Sequence, residues 1–268
     1  MLSIIDPFCY LWFSTTPLSR MSIYASLQLA KEEGEKCFAI LIDPDRVRLD
    51  EIDLLVDLAV RAEVDYFLVG GSLIVNDTLD QCLLAIKEKC SIPLILFPGD
   101  SYQLSYKADG MLLLSLISGR NAELLIGKHV IAAPYLRLSP LEILSCGYIL
   151  VDGGVSTTVS YMSNTTPIPA NKTDIAVCTA IAGEMLGLKL IYLEAGSGAS
   201  TPVSLEMIEA VSSAVQVPLI VGGGIDTPER ALANVRAGAD VIVVGNAIEK
   251  NRKLIEEIAD AIHSVSPV

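Results

Sequence analysis

The sequence has few of the residues on which several common kinds of site depend. It contains two histidines among 268 residues, and its six cysteines form no C-x-x-C pair. This composition disfavours a histidine-based metal centre, a Ser-His-Asp triad and a cysteine-rich zinc site. We expect the cysteines to be reduced and mostly buried, as in a cytoplasmic protein.

Positive charge and long apolar runs are also scarce. Lysine and arginine total 19 against 32 aspartates and glutamates, which gives a net charge of −13. Nucleic acid is therefore not an expected partner, because a binding protein would carry a basic surface. Apolar residues make up 51% of the chain, but no run approaches the roughly 20 residues of a membrane-spanning helix.

The first 20 residues differ from the remainder of the chain. They are apolar and aromatic, with no basic stretch ahead of them and no small-residue cleavage site, which is a poor match to a signal peptide. We interpret residues 1–20 as a disordered tail or an over-extended start. No Pro/Gly/Ser-rich linker interrupts residues 21–268, which are predicted to form a single domain.

Short apolar runs alternate with amphipathic stretches of helical length. Strands are predicted at Cys37–Ile42, Tyr66–Val69, Leu94–Phe97, Gly110–Leu114, Tyr148–Val151, Leu190–Leu193, Leu219–Val221 and Val241–Val244. Helices are predicted at Ile23–Glu33, Asp50–Ala62, Leu79–Lys89, Asp174–Leu186, Leu205–Ala214, Pro228–Ala237 and Asn246–His263. Eight alternations predict an α/β fold, a closed (β/α)8 TIM barrel, with an open doubly wound sheet as the alternative.

Two segments break the alternation. Phe97–Asp109 is short and polar and contains Pro98 and Gly99, so it is too irregular for a full crossover helix. Gly153–Thr173 is long and rich in serine, threonine and asparagine. Long loops in compact domains usually have a function, so we interpret this segment as a lid or substrate-binding loop.

Three glycine-containing turns follow apolar runs in the last third of the chain, within Lys189–Gly198, Pro218–Gly224 and Asp240–Asn246. Backbone N–H groups at helix starts bind phosphate, and the loops after the seventh and eighth barrel strands are the usual place for it. None of the turns is a G-x-G-x-x-G or Walker A motif, so a dinucleotide or nucleoside triphosphate is not indicated. The candidate phosphate ligands are Gly223, Gly224, Gly245 and Asn246.

Polar side chains stand at the predicted ends of three strands. Asp43 follows the first strand and suits Mg²⁺, which prefers oxygen ligands; alternatively, it only caps the next helix. Ser72 closes the second strand within VGGS, where it either reaches the same ion or belongs to an ordinary turn. Tyr192 and Glu194 share one strand face, and Glu194 either accepts a substrate proton or pairs with Lys172.

The motifs LIDPDR, VGGS, LISGRN, LIGKHV, PIPANK, IYLEAGSGA, IVGGGI and GADVIVVGNAIEK occur in this order. Together they resemble the geranylgeranylglyceryl phosphate synthase family, in its long-motif branch of archaeal and bacterial members. The resemblance implies a modified (β/α)8 barrel whose third helix is replaced by an irregular segment. It also implies Mg²⁺-assisted transfer of a geranylgeranyl group from its diphosphate to the C3 hydroxyl of sn-glycerol 1-phosphate.

The resemblance assigns roles to particular residues. Asp43 and Ser72 would bind Mg²⁺, and Glu194 and Tyr192 would be catalytic. The residues that would bind glycerol phosphate are Tyr192, Leu193, Glu194, Ala195, Gly196, Ser197, Gly198, Gly223, Gly224, Gly245 and Asn246. Two positions depart from the family pattern: Arg46 replaces the usual lysine, and Asp226 places a negative charge beside the phosphate ligands.

Two other functions fit the residues alone. One is a sugar-phosphate isomerase or cyclase that uses carboxylates at strand ends, and the other is a non-catalytic sensor of a phosphorylated metabolite. The mean hydropathy of +0.51 favours a homo-oligomer in which some apolar surface is covered. A lipid product would require transient contact with a membrane.

Overall fold

The computed structural model of the protein describes residues 21–265. Its eight strands are β1 (Cys37–Ile42), β2 (Tyr66–Val69), β3 (Leu94–Leu96), β4 (Gly110–Leu116), β5 (Glu142–Leu150), β6 (Leu190–Glu194), β7 (Leu219–Gly222) and β8 (Val241–Val244). Each strand pairs in parallel with the next, and β8 pairs with β1. The predicted closed barrel is confirmed. The interpretation of residues 1–20 lies outside the described residues.

The helices are α1 (Ile23–Glu33), α2 (Leu49–Arg61), α3 (Leu79–Lys87), α4 (Lys128–Leu138), α5 (Thr158–Ser163), α6 (Thr173–Met185), α7 (Leu205–Ala214), α8 (Pro228–Arg236), α9 (Asn246–Lys250) and α10 (Leu254–His263). One π-helical turn, Glu123–Gly127, precedes α4. Within residues 21–265, every helix is too short or too polar to cross a bilayer.

Helix α1 closes the amino-terminal end of the barrel. Ile23 and Leu27 are buried in the same cluster as the inward-facing residues Leu112 and Leu144. The Glu142 carboxylate accepts hydrogen bonds from the backbone N–H groups of Ile23 and Tyr24, at 2.6 and 2.9 Å. These N–H groups belong to the first turn of α1, where backbone N–H groups have no hydrogen-bond acceptor inside the helix. The opposite, carboxyl end of the barrel is left for the site.

The barrel wall is incomplete between β3 and β4. Strand β3 has only three residues and pairs with β4 at two positions, Ile95↔Gly110 and Leu96↔Met111. The remaining residues of β4 have a partner strand only on the β5 side. Residues 97–109 contain turns and no helix, which confirms that an irregular segment replaces the third barrel helix.

The sequence prediction was wrong or incomplete at four elements, of which three are a strand, a helix and a loop in the middle of the chain. Strand β5 begins at Glu142 rather than Tyr148, because its first half mixes polar residues and glycine with apolar ones. Helix α4 was not predicted, since Pro134 lies inside it and proline usually ends a helix. The loop predicted at 153–173 contains the short helix α5 and a bridge between Val151 and Ile168.

The helix predicted at Asn246–His263 is two helices. Helix α9 ends at Lys250, and Asn251 has an extended conformation with φ −145°. The Asn251 side chain accepts a hydrogen bond from the Lys253 backbone N–H. Asparagine competes with helix in this way, by bonding to nearby backbone groups. The break separates the residues beside the site from α10, which packs on the barrel wall.

Candidate active site at the carboxyl end of the barrel

Glu194 is a buried carboxylate at the inward-facing end of β6. Its side chain is almost closed off from solvent, with the residue 6% exposed. Oε1 accepts a hydrogen bond of 2.6 Å from the Gly196 backbone N–H. Burial raises the pKa of Glu194 to about 7, although Gly196 and Tyr192 act in the opposite direction. Among residues 21–265 it has no ion-pair partner, so the pairing with Lys172 is absent. A carboxylate with this pKa exchanges a proton near neutral pH.

Three aromatic rings, those of Phe97, Tyr148 and Tyr192, pack against one another beside Glu194. The Tyr192 ring lies against Phe97 at 5.5 Å, nearly parallel at 17°, and against Tyr148 at 5.3 Å. Burial, and then the Glu194 carboxylate, raise the pKa of the Tyr192 hydroxyl well above its usual value, so the hydroxyl keeps its proton. This hydroxyl lies close to Glu194, but it makes no hydrogen bond of regular geometry with the described residues. Because the residue is fully buried, its nearest polar neighbour is the Glu194 carboxylate.

The glycine turns allow the backbone to approach Glu194 closely. Gly223 has a φ of +84°, and a Cβ atom there would lie 2.5 Å from Oε1 of Glu194. Gly196 has a φ of +96°, and its Cβ would lie 2.5 Å from the Thr157 side chain, just ahead of α5. Only glycine fits these positions, because side chains are strained at positive φ and the space is filled.

Ser197 and Asn246 join the turn after β6 to the start of α9. The Asn246 side-chain nitrogen donates to Oγ of Ser197 at 2.9 Å. Gly245, at the N-cap of α9, approaches Leu41 of β1. The predicted phosphate ligands after β6, β7 and β8 thus lie around one opening of the barrel, since consecutive strands are neighbours.

The negative charge of Asp226 is neutralised locally. Nη1 of Arg230 lies 2.7 Å from Oδ1 of Asp226 and donates to the Gly224 carbonyl oxygen at 3.2 Å. A guanidinium group therefore stands directly behind the predicted phosphate-binding turn. Arg230 was not predicted from the sequence, although it lies in the first turn of α8, four residues after Asp226, and this spacing is a signal for the pairing.

Asp43 lies half-buried just beyond β1. Burial raises its pKa, while the N–H group of Asp45 and the Arg46 guanidinium lower it. Arg46 lies 3.2 Å from Asp43 and 3.3 Å from Glu249 of α9. The Arg46 guanidinium thus connects Asp43, the predicted metal ligand, with α9, the short helix that starts at the predicted phosphate ligand Asn246.

The turn after β2 is held against the Asp43 turn. The Asp45 carboxylate accepts hydrogen bonds from the backbone N–H groups of Val75 and Asn76, at 2.6 and 3.1 Å. A Cβ on Gly71 would lie 3.7 Å from the Asp43 carboxylate, whereas the backbone of Ser72, the next residue, packs against Gly99. These contacts place the two predicted metal residues on adjacent turns.

The side chains present could hold Mg²⁺ only if a substrate supplied further oxygen ligands. Within the described part of the chain, no three His, Cys, Asp or Glu side chains are grouped to hold a metal. Mg²⁺ often binds through one or two carboxylates together with substrate phosphates and waters. Asp43, a desolvated carboxylate whose one cationic partner is largely exposed, suits that mode of binding.

An apolar groove of about 370 Å³ begins beside the aromatic rings. Its lining includes the inward-facing Leu114 and Leu116 and the outward-facing Met111 and Leu113 of β4. The groove therefore passes through the opening between β3 and β4 into the space without a third helix. Its other boundaries are the turn after β2, the segment 97–103, α4 and α5.

The predicted site residues do not all turn their side chains toward the opening. Leu193 and Ala195 are buried in the layer between the barrel and its helices, so only their backbones reach the site. Tyr148 and Phe97 were missed, because an aromatic residue in an apolar run is no different in sequence from a core residue. The cysteine expectation holds for Cys37, Cys82 and Cys146, whereas Cys178 is exposed.

Comparison with known proteins gives one family over almost the whole described chain. The model of the PcrB family matches residues 28–265. The geranylgeranylglyceryl phosphate synthase of Chitinophaga pinensis is 55% identical over 246 residues, which cover 92% of this chain and 98% of that protein. The enzyme of the same name from Thermococcus kodakarensis is 42% identical, in an alignment that covers 82% of this chain and 87% of that enzyme.

Solved structures agree with this result. A (S)-3-O-geranylgeranylglyceryl phosphate synthase from Thermoplasma acidophilum, in complex with its substrate sn-glycerol-1-phosphate, superimposes with a TM-score of 0.87 at 32% identity. The alignment covers 92% of this chain and all of that one. The tryptophan synthase alpha subunit of Legionella pneumophila has a TM-score of 0.56 at 16% identity over the same shares, a likeness of barrel fold alone.

Proposed function

The chain belongs to the PcrB family, and we propose that it transfers a geranylgeranyl group from its diphosphate to the C3 hydroxyl of sn-glycerol 1-phosphate, with Mg²⁺ as the metal. Its curated relatives are geranylgeranylglyceryl phosphate synthases. The observation that supports the proposal most strongly is the position of Glu194. This buried carboxylate lies between glycine turns suited to a phosphate and aromatic rings that lead into an apolar groove.

The acceptor is bound by the turns after β6, β7 and β8. Backbone N–H groups of Gly223, Gly224 and Gly245 and the Asn246 side chain hold the phosphate, and the ion pair with Arg230 offsets the negative charge of Asp226 beside it. A glycerol phosphate is short, so anchoring its phosphate at these turns brings the far hydroxyl to Glu194. The relative from Thermoplasma acidophilum, whose structure contains sn-glycerol-1-phosphate, supports this acceptor.

The donor occupies the other half of the opening. Its apolar chain lies in the groove through the β3–β4 opening, and its diphosphate lies toward Asp43, Ser72 and Arg46. Arg46 is the cation that we assign to the diphosphate, because it already contacts Asp43 and Glu249. A guanidinium matches phosphate oxygens with two parallel hydrogen bonds, which a lysine does not.

Asp43, with Ser72 beside it, would hold the metal. Mg²⁺, when bound, would act as a Lewis acid that neutralises the charge on the departing diphosphate. Arg46 adds positive charge on the same side. The Phe97, Tyr148 and Tyr192 rings give electron-rich faces near the reacting end of the chain, which suit a carbon that develops positive charge.

The two substrates and Glu194 account for every bond that breaks or forms in the transfer and for the proton that is released. The bond between C1 of the prenyl group and the diphosphate oxygen breaks, and diphosphate leaves with the electron pair. The C3 hydroxyl oxygen forms the ether bond to C1, and its proton passes to the Glu194 carboxylate. The buried Tyr192 hydroxyl, which lies beside Glu194, helps to hold that carboxylate in position for the proton transfer. The chain's main contribution is to hold both reactants in place.

The test is formation of a prenyl ether by the purified full-length protein. We expect the C20 donor and sn-glycerol 1-phosphate to react when Mg²⁺ is present, and chelation of the metal to stop the reaction. Asp43→Asn should weaken Mg²⁺ binding, measured by calorimetry with diphosphate present. The matched variant Asp50→Asn removes an exposed carboxylate on α2 and should have no effect. A folded protein that forms no ether with C10 to C35 donors would contradict the proposal.

We propose in addition that the protein forms a homo-oligomer through α4. Ile131, Tyr135 and Leu138 form one helical stripe and are 60, 61 and 83% exposed. Such a stripe is typical of a surface covered by another chain. Ile131→Lys should reduce the mass measured by light scattering, and an unchanged mass would contradict this assignment.

A further inference from the structure

Three segments that line the apolar groove also carry large apolar side chains that face solvent. Tyr102 is 94% exposed, Tyr161 is 85% exposed and Val75 is 74% exposed. Each belongs to a different segment that also lines the groove: the irregular segment after β3, helix α5 and the turn after β2. We call these three residues the rim. Isolated exposed apolar residues are ordinary, but a group around one opening marks an interaction surface.

We propose that the rim docks on a lipid bilayer of low charge, so that the groove takes its donor from the membrane and returns its product there. The inference rests on the proposed function, since both the donor and the product carry a 20-carbon chain. Exposing a long apolar chain to water is unfavourable, so transfer of the chain through water is costly. Direct contact between groove and bilayer removes that step.

The structure holds the rim in place. The backbone of Val75 is fixed by the Asp45 carboxylate, and the backbone N–H of Tyr102 donates to Asp100. Asp100 also forms an ion pair with Lys128 of α4. Hydrogen-bonded turns thus hold Val75 and Tyr102 in their exposed positions.

A lipid surface fits the rim better than a protein does. A protein bound stably across the mouth would block passage of the prenyl chain, whereas a bilayer accepts it. Two of the three rim residues are tyrosines, whose rings and hydroxyls suit the boundary between lipid tails and headgroups.

The charges of the chain determine which membrane is expected. The groove lining contains Asp100, Glu123 and Lys128, and the whole chain has a net charge of −13. Docking therefore depends on apolar contact and not on attraction to anionic lipids. We expect binding to neutral vesicles to exceed binding to anionic ones, and the difference to shrink as salt screens the repulsion.

The test is flotation of the full-length protein with phosphatidylcholine vesicles. The variant Val75→Ser/Tyr161→Ser changes rim residues that do not line the groove, and we expect it to lose binding roughly tenfold. The matched control is Met185→Ser/Leu186→Ser. These two residues are 83 and 78% exposed. They lie at the carboxyl end of α6, just before the chain enters β6, and therefore at the amino-terminal end of the barrel. The control should bind as the unmodified protein does.

The outcomes separate this inference from the proposed function. Ether formation from a water-soluble C10 donor without vesicles should be the same in the rim variant and the unmodified protein. Ether formation from the C20 donor supplied in vesicles should fall with the loss of flotation. If the unmodified protein forms ether but does not float, the inference is wrong and the proposed function stands. A rim variant whose oligomeric mass falls while its flotation persists would also overturn the inference.

Discussion

At the residue scale, burial of the Glu194 carboxylate lowers the stability of the folded protein. The proposed role of Glu194 in accepting a proton explains why a carboxylate is nevertheless present there. The charged form is removed from water and has only one N–H donor and a tyrosine hydroxyl near it. A residue selected for stability alone would be apolar at this position. A carboxylate with a pKa near neutrality is, in contrast, suited to accept a hydroxyl proton.

The first prediction is that Glu194→Gln stabilises the protein in alkaline solution. The folded-state pKa of about 7 exceeds the ordinary glutamate value of 4.5, which applies to the unfolded chain. The stability that this group contributes is therefore fully present below the unfolded pKa and is lost as the pH rises through the folded pKa. A neutral glutamine escapes that loss, so at about pH 8 the variant should be more stable by about 3 kcal/mol. Urea unfolding at several pH values measures the difference, which should vanish near the unfolded pKa. A variant that is less stable in alkaline solution would contradict the buried, unpaired state of Glu194.

The second prediction concerns Gly223. Gly223→Ala should cost more stability than Gly187→Ala, because only the former adds a steric clash. Their φ angles are nearly equal, +84° and +83°, but a Cβ on Gly187 meets nothing within 4 Å. We expect about 1 kcal/mol for Gly187→Ala and roughly 2 kcal/mol or more for Gly223→Ala, with weaker binding of sn-glycerol 1-phosphate only in the latter. Thermal unfolding and calorimetry compare the two, and equal losses would contradict the close approach to Glu194.

Part of the site was predictable at this scale. Glu194, Gly223 and Asn246 stand at strand ends, where the barrel topology itself implies a role. Tyr148 was not predicted, because its importance depends on contacts with Phe97 and Tyr192 on segments distant in sequence. The side-chain direction of Leu193 follows from strand alternation, and this limits its contribution to the backbone.

At the element scale, helix α1 and the irregular segment 97–109 have opposite effects on the barrel. Helix α1 seals the amino-terminal end, whereas the missing helix after β3 opens the wall for the groove. The irregular segment was predictable from Pro98, Gly99 and its polar composition. The extent of the opening was not, since it depends on β3 having only two paired positions with β4.

The third prediction tests the seal. Glu142→Ala removes the acceptor for two N–H groups of α1 and should cost about 1–2 kcal/mol of stability. The matched variant Glu142→Gln keeps an acceptor oxygen and should lose less. Both should keep the affinity for sn-glycerol 1-phosphate, because α1 lies at the end of the barrel opposite the site. Urea unfolding gives the stabilities, and a loss of substrate affinity in either variant would contradict this separation.

At the scale of the whole molecule, the barrel was predictable because eight short apolar runs in one chain have few other closed arrangements. The parallel pairing then places all strand ends, and hence the predicted phosphate and metal residues, at one end. The groove and its exposed rim arise only in the folded molecule, from the incomplete wall and the turns around it.

The central claim is that this one end of the barrel brings an acceptor hydroxyl to Glu194 beside a prenyl donor. The most direct test is the pH dependence of single-turnover ether formation. The rate should rise with pH through about 7 and then level off, because ionised Glu194 accepts the proton. Glu194→Gln should be slower by roughly 10²–10⁴-fold and should lack this rise. The acceptor phosphate itself titrates near pH 6, and the variant retains that step as an internal control. A variant with a near-normal rate, or with an unchanged rise through about pH 7, would contradict the account.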